Sequence, residues 1–417
     1  MTVLIAGAGI AGLTLGLTLH QIGVSFRIFE RVRQMQPLGV GINLQPTAVR
    51  ELTALGLAPM LDEIGVATQT YGFYTRTGIE VWSEPRGLAA GYNWPQYSVH
   101  RGHLQMRLFD ELISRAGPES VLLDYPAGAY KNTRSGVTLH FENGQDPVHG
   151  TALIGADGVH SAIRHQMYPT EGPPKWSGAI LWRGTSLAKP FLTDASMILA
   201  GNDTIRIVAY PISKPDPITG LATINWLAEK TVDPATQRAK NDWNRQVATS
   251  MFAHHFADWT FDWLDVPALI RAADAVYEYP MIDRDPVDSW TDGAVTLIGD
   301  AAHATYPVGS SGASQAILDA RVLGAKLLDS GVTPDALESY DAQIRPIANA
   351  VTLANRGNGP DAIMQLAEDR CNGDFSKLDA ALPMPERAQH AAHYKSIAGL
   401  APDQINQAAP ILPPSFL

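Results

Sequence analysis

Val3-Leu4-Ile5-Ala6 is a short apolar run, and Gly7-Ala8-Gly9-Ile10-Ala11-Gly12 follows it directly. Four apolar residues bounded by glycine read as a buried parallel strand. Leu13, Leu15, Leu17, Leu19 and Ile22 then describe a helix that is apolar on more than one side, Gly23 ends it, and residues 25–29 read as a second strand. Strand, tight turn, helix and strand form a βαβ unit, which commits this end of the chain to a parallel sheet covered by helices. Each glycine has its own duty: Gly7 permits the turn, Gly9 lets the backbone approach a pyrophosphate, and Gly12 lets helix and strand pack closely. The helix N-terminus, with Ala11 in its first turn, offers unpaired N–H groups and partial positive charge to phosphates. Glu30 lies 21 residues past Gly9 with Arg31 beside it, where a carboxylate accepts hydrogen bonds from ribose hydroxyls.

Composition narrows the class. The chain has 417 residues, long enough for two or three domains, and a net charge of −11. That charge excludes a strongly basic nucleic-acid surface and gives no attraction to an anionic membrane. One cysteine, Cys371, excludes disulfide frameworks and multi-cysteine metal sites. No signal-peptide pattern and no spanning apolar run is read, so a reduced, cytoplasmic protein is expected.

Two further strands end in glycine: residues 152–156 lead into Asp157-Gly158, and residues 295–298 lead into Gly299-Asp300. A long helix over 314–328 follows, with Ala316, Ile317, Ala320, Leu323, Leu327 and Leu328 at helical spacing. Residues 178–182, 205–212 and 221–227 read as antiparallel strands. The expected fold class is α/β: a discontinuous Rossmann-like domain (1–70, 98–175 and 276–345) interrupted by a β-rich substrate domain (71–97 and 176–275). A C-terminal helical segment and tail (346–417) completes the chain. Pro402, Pro410, Pro413 and Pro414 argue against a long final helix.

The glycine loop alone does not choose between NAD and FAD. Asp157-Gly-Val-His-Ser-Ala-Ile-Arg164, Gly299-Asp-Ala-Ala-His303 and Pro307-Val-Gly-Ser-Ser-Gly312 do. Asp300 at a strand end can accept a ribityl hydroxyl. The N–H groups from Gly309 through Gly312 and Ala313 to Ser314 can face the pyrimidine end of a flavin, where a helix N-terminus stabilises negative charge.

Together these motifs resemble the single-component, FAD-dependent aromatic hydroxylases with the p-hydroxybenzoate hydroxylase fold, over about residues 1–357. Residues 37–43, 82–87, 95–98, 100–102, 283–286 and 312–319 are similar to the branch of that family acting on phenazine carboxylates. The resemblance implies that Arg101 binds the FAD phosphates, that Gly41 and Ile42 line the flavin ring, and that Asp300 holds the ribityl chain. It implies that Pro307 abuts the reacting carbon and that Asp157 serves FAD and NAD(P)H. Ser314 departs from the asparagine common in the family and is a shorter donor and acceptor.

The implied activity is hydroxylation, with or without decarboxylation, of an aromatic or N-heteroaromatic carboxylate or phenol through a flavin C4a-hydroperoxide. FAD would be bound non-covalently. NADH or NADPH and O2 would be co-substrates, since only one dinucleotide fingerprint exists, and the protein would be a monomer or homodimer. A halogenase is disfavoured by the absence of Trp-x-Trp-x-Ile-Pro; epoxidation, N-hydroxylation and a non-catalytic FAD-binding scaffold stay open. Arg206, Val208 and Tyr210 alternate on one strand face, with Arg206 expected on a substrate carboxylate and Tyr210 on a ring substituent, although an ordinary sheet face has the same pattern. His254-His255 and His303 lack a third ligand or H-E-x-x-H spacing, so no metal is expected and His303 belongs to the flavin-site loop. Trp243, Trp259, Trp263 and Trp290 read as core or interface, and Glu368-Asp369-Arg370 as a solvated face.

Overall fold

The structure, a computed structural model, describes residues 1–233, 245–357, 359–397 and 399–414. Val3–Ala6 is the axis of a six-stranded sheet. It pairs in parallel with Phe26–Glu30, Val3 opposite Phe26, and with Ala152–Gly155, Val3 opposite Ala152. Val121–Leu123 and Val295–Leu297 extend the sheet in parallel on either side, and Thr291–Asp292 closes one edge antiparallel. Helix Ile10–Gln21 is buried from Ile10 through Leu19. It packs against helices Arg101–Ala116 and Gly312–Ser330 as well as its own strand, which is why its sequence is apolar all round.

A second sheet has eight strands in the order Arg245–Gln246, Ala273–Asp283, Lys175–Ala188, Ala222–Thr231, Ile205–Pro211, Ser196–Gly201, Thr70–Tyr74 and Glu80–Pro85. Alternation along these strands serves two cores, because successive side chains point to opposite faces. Ile198, Ala200, Ile207, Ala209, Ile224 and Trp226 face one, with Trp259 buried and Trp263 partly buried against it. Met197, Leu199 and Tyr210 face the other, where helix Ala362–Cys371 brings Ile363, Met364 and Ala367. Trp290 is fully buried in the first domain's core, and Trp243 lies outside the described residues.

Two expected boundaries need correction. The division at 275/276 falls inside Ala273–Asp283, whose ladder with Lys175–Ala188 continues to Lys175 opposite Asp283. The β-rich sheet therefore reaches residue 283, since nothing breaks the extended backbone before Pro286. The division at 345/346 falls inside Pro334–Ala354, which carries Pro346 within it. After it, Met384–Ile397 folds back over the body of the protein, and Pro402 opens the six-residue helix Pro402–Gln407. Arg370 and Glu386 pair at the surface, 2.7 Å apart. Among the described residues no helix is long and apolar enough to cross a membrane.

Candidate active site

Three of the parallel strands, Val3–Ala6, Phe26–Glu30 and Ala152–Gly155, end on one cleft of about 540 Å³. Gly7, Gly9, Glu30, Arg31, Arg101 and Asp157 all line it. Gly7 has φ +104, and a Cβ on it would press into the Ala156 carbonyl. A Cβ on Gly12 would collide with the Gly7 carbonyl. Gly9 differs: a Cβ there would meet nothing within 4 Å, because the residue faces the cleft. Two glycines therefore serve the protein's own packing and one keeps space open. This is the division of labour a bound pyrophosphate requires, so the loop fits FAD.

Glu30 is held in place by the backbone. Its Oε2 accepts from Ala8 N–H at 2.7 Å and its Oε1 from Val32 N–H at 3.1 Å. Asp157 turns inward: Oδ1 accepts from Ser161 Oγ at 2.5 Å, and Oδ2 from Ala162 N–H at 2.8 Å. Burial raises its carboxyl above the ordinary range, against those hydrogen bonds. Asp157 builds its own loop, and what it turns to the cleft is that loop rather than a free carboxylate. Arg31 pairs loosely with Glu142, at 3.8 Å. Gln105, four residues beyond Arg101 on the same helix, donates to the Ala8 carbonyl at 2.8 Å and also lines the cleft. Sequence reasoning missed it, although the i, i+4 spacing from Arg101 is a usable signal.

Asp300 opens helix Asp300–His303 after Gly299, at φ +59, and its side chain is exposed. A Cβ on Gly299 would sit 3.0 Å from that of Ala11, so the strand-end motif rests on the glycine loop's helix. Gly312 and Ala313 begin the long helix Gly312–Ser330. Ser314, in place of the family's asparagine, accepts from Gln45 N–H at 2.8 Å and is buried. It ties the helix start to the end of Gly41–Leu44, which carries Gly41 and Ile42.

Beneath the Pro307 loop is a smaller, more enclosed cavity of about 70 Å³. Pro307, Val308, Gly309 and Ser310 form one wall. The sheet face with Met197, Leu199, Arg206, Val208 and Tyr210 forms the other. Tyr210 is buried, which pushes its hydroxyl up to about 12 and keeps it a protonated donor at neutral pH. Arg206 reaches this cavity, but its guanidinium is already engaged: Glu229 lies 2.7 Å away and Asp361 closer still. Two carboxylates neutralise it, which corrects the expectation that it offers charge to a substrate. It ties the sheet to the C-terminal segment instead.

Two unforeseen side chains share the same wall. Asn225 stands opposite Tyr210 across the ladder, and its Oδ1 accepts from Gly41 N–H at 2.7 Å. Arg183 donates to the Gly41 carbonyl at 3.2 Å. Among the described residues it has no carboxylate within ion-pair reach, and burial lowers its pKa from the ordinary value. Single polar residues inside apolar strands carry no sequence motif.

A glycine-rich dinucleotide cleft, with a second cavity under a Pro-x-Gly-x-x-Gly loop, defines a flavin-dependent oxidoreductase. The chain belongs to the FAD binding domain family, whose profile matches residues 1–354, and within it to the single-component aromatic hydroxylases. It is an FAD-binding monooxygenase with the p-hydroxybenzoate hydroxylase-like fold. It is 42% identical over 363 residues to a phenazine 1,6-dicarboxylic acid hydroxylase of Lysobacter antibioticus, covering 85% of this chain and 89% of the relative. It is 27% identical over 381 residues to the 6-hydroxynicotinate 3-monooxygenase of Pseudomonas fluorescens, covering 88% and 90%. In fold it is similar to Klebsiella pneumoniae HpxO complexed with FAD and uric acid, with TM-score 0.74, 23% identity, and 97% and 96% coverage. A salicylate hydroxylase substrate complex gives TM-score 0.75 at 21% identity, covering 100% and 99%.

Proposed function

We propose that this protein hydroxylates an N-heteroaromatic carboxylate of the phenazine-1-carboxylate type, with NADH or NADPH as transient reductant and O2 as oxygen donor. The observation that carries this reading is the shared cavity: Pro307–Ser310, from the flavin-site motif, faces the sheet wall around Tyr210 across a single space. The 42% identity with a phenazine hydroxylase supports the ring class. FAD, when bound, supplies the hydride acceptor and the oxygen-activating centre. The Gly7–Gly12 loop and Glu30 hold the adenosine and pyrophosphate, Arg101 the phosphates, and Asp300 the ribityl chain. Gly41, Ile42 and the Gly309–Ala313 backbone border the ring. Met197, Leu199, Val208 and Leu227 keep water from the substrate side, and Tyr210 donates a hydrogen bond to a ring substituent. Burial keeps that tyrosine protonated throughout the neutral range.

The test is NAD(P)H oxidation by FAD-loaded enzyme with phenazine-1-carboxylate and its 5-methyl derivative, alongside mass analysis of products and peroxide release. Substrate-stimulated oxidation with a product 16 Da heavier is expected, or the decarboxylated phenol if attack falls on the carboxyl-bearing carbon. Reduction that no aromatic accelerates overturns the reading. Tyr210→Phe removes one hydrogen bond worth about 0.5–1.5 kcal/mol. Substrate should bind severalfold more weakly at unchanged FAD affinity, and less of the NAD(P)H consumed should end in product.

A further inference from the structure

Three donors lie together on the wall of the enclosed cavity. Tyr210 stands opposite Asn225 in one strand pair, and Arg183 stands opposite Leu227, two residues further along, in the next. Residues two apart share a sheet face, so the three are direct or diagonal neighbours. All three line the cavity.

The hydrogen bonding of two of them is incomplete in a directional way. Asn225 is 1% exposed and its Oδ1 is taken by Gly41 N–H. That bond fixes the amide and leaves Nδ2 sealed from solvent with no acceptor. Arg183 Nε is likewise sealed and has no acceptor. A guanidinium stays charged at any physiological pH, and a desolvated charge without a counter-charge is costly. Arg206, on the same wall, shows what satisfaction looks like here, with Glu229 and Asp361 both engaged. Apart from that neutralised cluster of Arg206, Glu229 and Asp361, from Tyr71 and from the Pro307–Ser310 loop, the rest of the lining is apolar: Met197, Leu199, Val208, Leu227 and Met281.

We propose that Arg183 and Asn225 form the seat for a carboxylate carried on the aromatic ring of the substrate. The inference rests on the hydroxylase reading above and adds where the anion goes. Arg183 supplies the charge and Asn225 a donor whose direction Gly41 has set. Arg206 supplies neither. Because Gly41 is braced by both seat residues, a carboxylate held there is placed relative to the strand that carries Gly41 and Ile42.

The experiment uses FAD-loaded enzyme and follows the bound flavin's absorbance. Matched pairs are titrated: phenazine-1-carboxylate, quinoline-2-carboxylate and benzoate, each against its carboxamide. Wild type should bind at least one carboxylate at least tenfold more tightly than its amide. Arg183→Met should remove that preference. Asn225→Asp keeps the acceptor for Gly41 N–H but replaces the free donor with anionic oxygen, and it should also remove the preference. Amide affinity and FAD affinity should change less than threefold in both, with melting temperatures reported for each to show folded protein. Wild type without carboxylate preference overturns the proposal, as do variants that weaken acid and amide alike. Variants that lose FAD while keeping the preference would assign Arg183 to the cofactor and overturn it too. A preference seen with benzoate or quinoline acids, with no phenazine binding, would leave the seat standing and defeat the phenazine reading.

Discussion

His303 Nε2 lies 2.6 Å from Asp319 Oδ2, and both side chains are sealed from solvent. The same Oδ2 accepts from Gly299 N–H at 2.8 Å, and Oδ1 accepts from Gln315 at 3.0 Å. One carboxylate on the long helix thus clamps both ends of the motif from Gly299 to His303, so Asp300 projects from a fixed turn. Burial by itself would lower the imidazole pKa, but the Asp319 charge and hydrogen bond outweigh it and the net shift is upward.

A raised folded pKa gives the pH dependence its sign. The proton held by His303 stabilises the fold fully below the unfolded value of about 6.5, and this is lost as pH rises through the raised folded value. Urea unfolding of FAD-loaded wild type and His303→Gln should therefore differ most at pH 5.5–6.5, by up to about 3 kcal/mol, and converge in more alkaline buffer. A gap that does not change with pH would show that the imidazole carries no proton in the fold.

Gly9 and Gly12 should separate cofactor binding from folding. Gly9 has an ordinary extended backbone, φ −74, and room for a methyl group. Gly9→Ala should melt like wild type without flavin yet bind FAD more weakly, because the methyl occupies cleft space. Gly12→Ala drives a methyl into the Gly7 carbonyl and should cost about 1–3 kcal/mol of fold stability. Thermal melts of flavin-free protein and FAD fluorescence titrations on both variants check this; equal melting losses would refute the division.

Asp300→Ala should weaken FAD binding about tenfold to a hundredfold, the cost of about 1–3 kcal/mol for one unpaired buried hydroxyl. The exposed position of Asp300 makes a loss of fold stability unexpected. An FAD dissociation constant unchanged by dialysis and fluorescence titration would remove Asp300 from the ribityl path.

What could be read from the sequence follows from the range of the forces involved. The βαβ unit, the glycine loop and Glu30 were legible because their pattern is local: turn, helix and strand each announce themselves within thirty residues. The strand with Arg206, Val208 and Tyr210 was legible as alternation, but the partners of Arg206 were not. Asp361 is 155 residues away, just before helix Ala362–Cys371, and no local pattern links the two. Arg183 and Asn225 were hidden for the complementary reason. Each sits beside a run buried on both faces, 178–182 before Arg183 and 224–229 around Asn225, where alternation gives no sign of which side meets a ligand.

Asn355 is 3% exposed, and its Nδ2 donates to Thr305 Oγ1 at 3.1 Å and to the Tyr306 carbonyl at 3.3 Å. Its Oδ1 accepts from the Tyr394 hydroxyl at 3.1 Å. Gly309, at φ +72, packs so closely on the Tyr394 ring that a Cβ there would overlap it. Helix Met384–Ile397 therefore holds the Thr305–Ser310 loop against the cavity from behind, although it lies outside the 1–354 match. Tyr394→Phe removes one hydrogen bond and should cost about 1 kcal/mol. Tyr394→Ala also removes the ring behind Gly309 and should cost about 3–5 kcal/mol, with a loosened loop. The cleft lined by Gly7, Gly9, Glu30 and Arg101 is untouched, so FAD affinity should fall less than coupling in both. Coupling should fall slightly in Tyr394→Phe and severalfold in Tyr394→Ala, because a misplaced Pro307 wall lets substrate sit farther from the reacting centre. The measurement is product formed and peroxide released per NAD(P)H consumed, at saturating substrate. Full coupling in a folded Tyr394→Ala enzyme would show that the C-terminal helix only adds stability and does not position the loop.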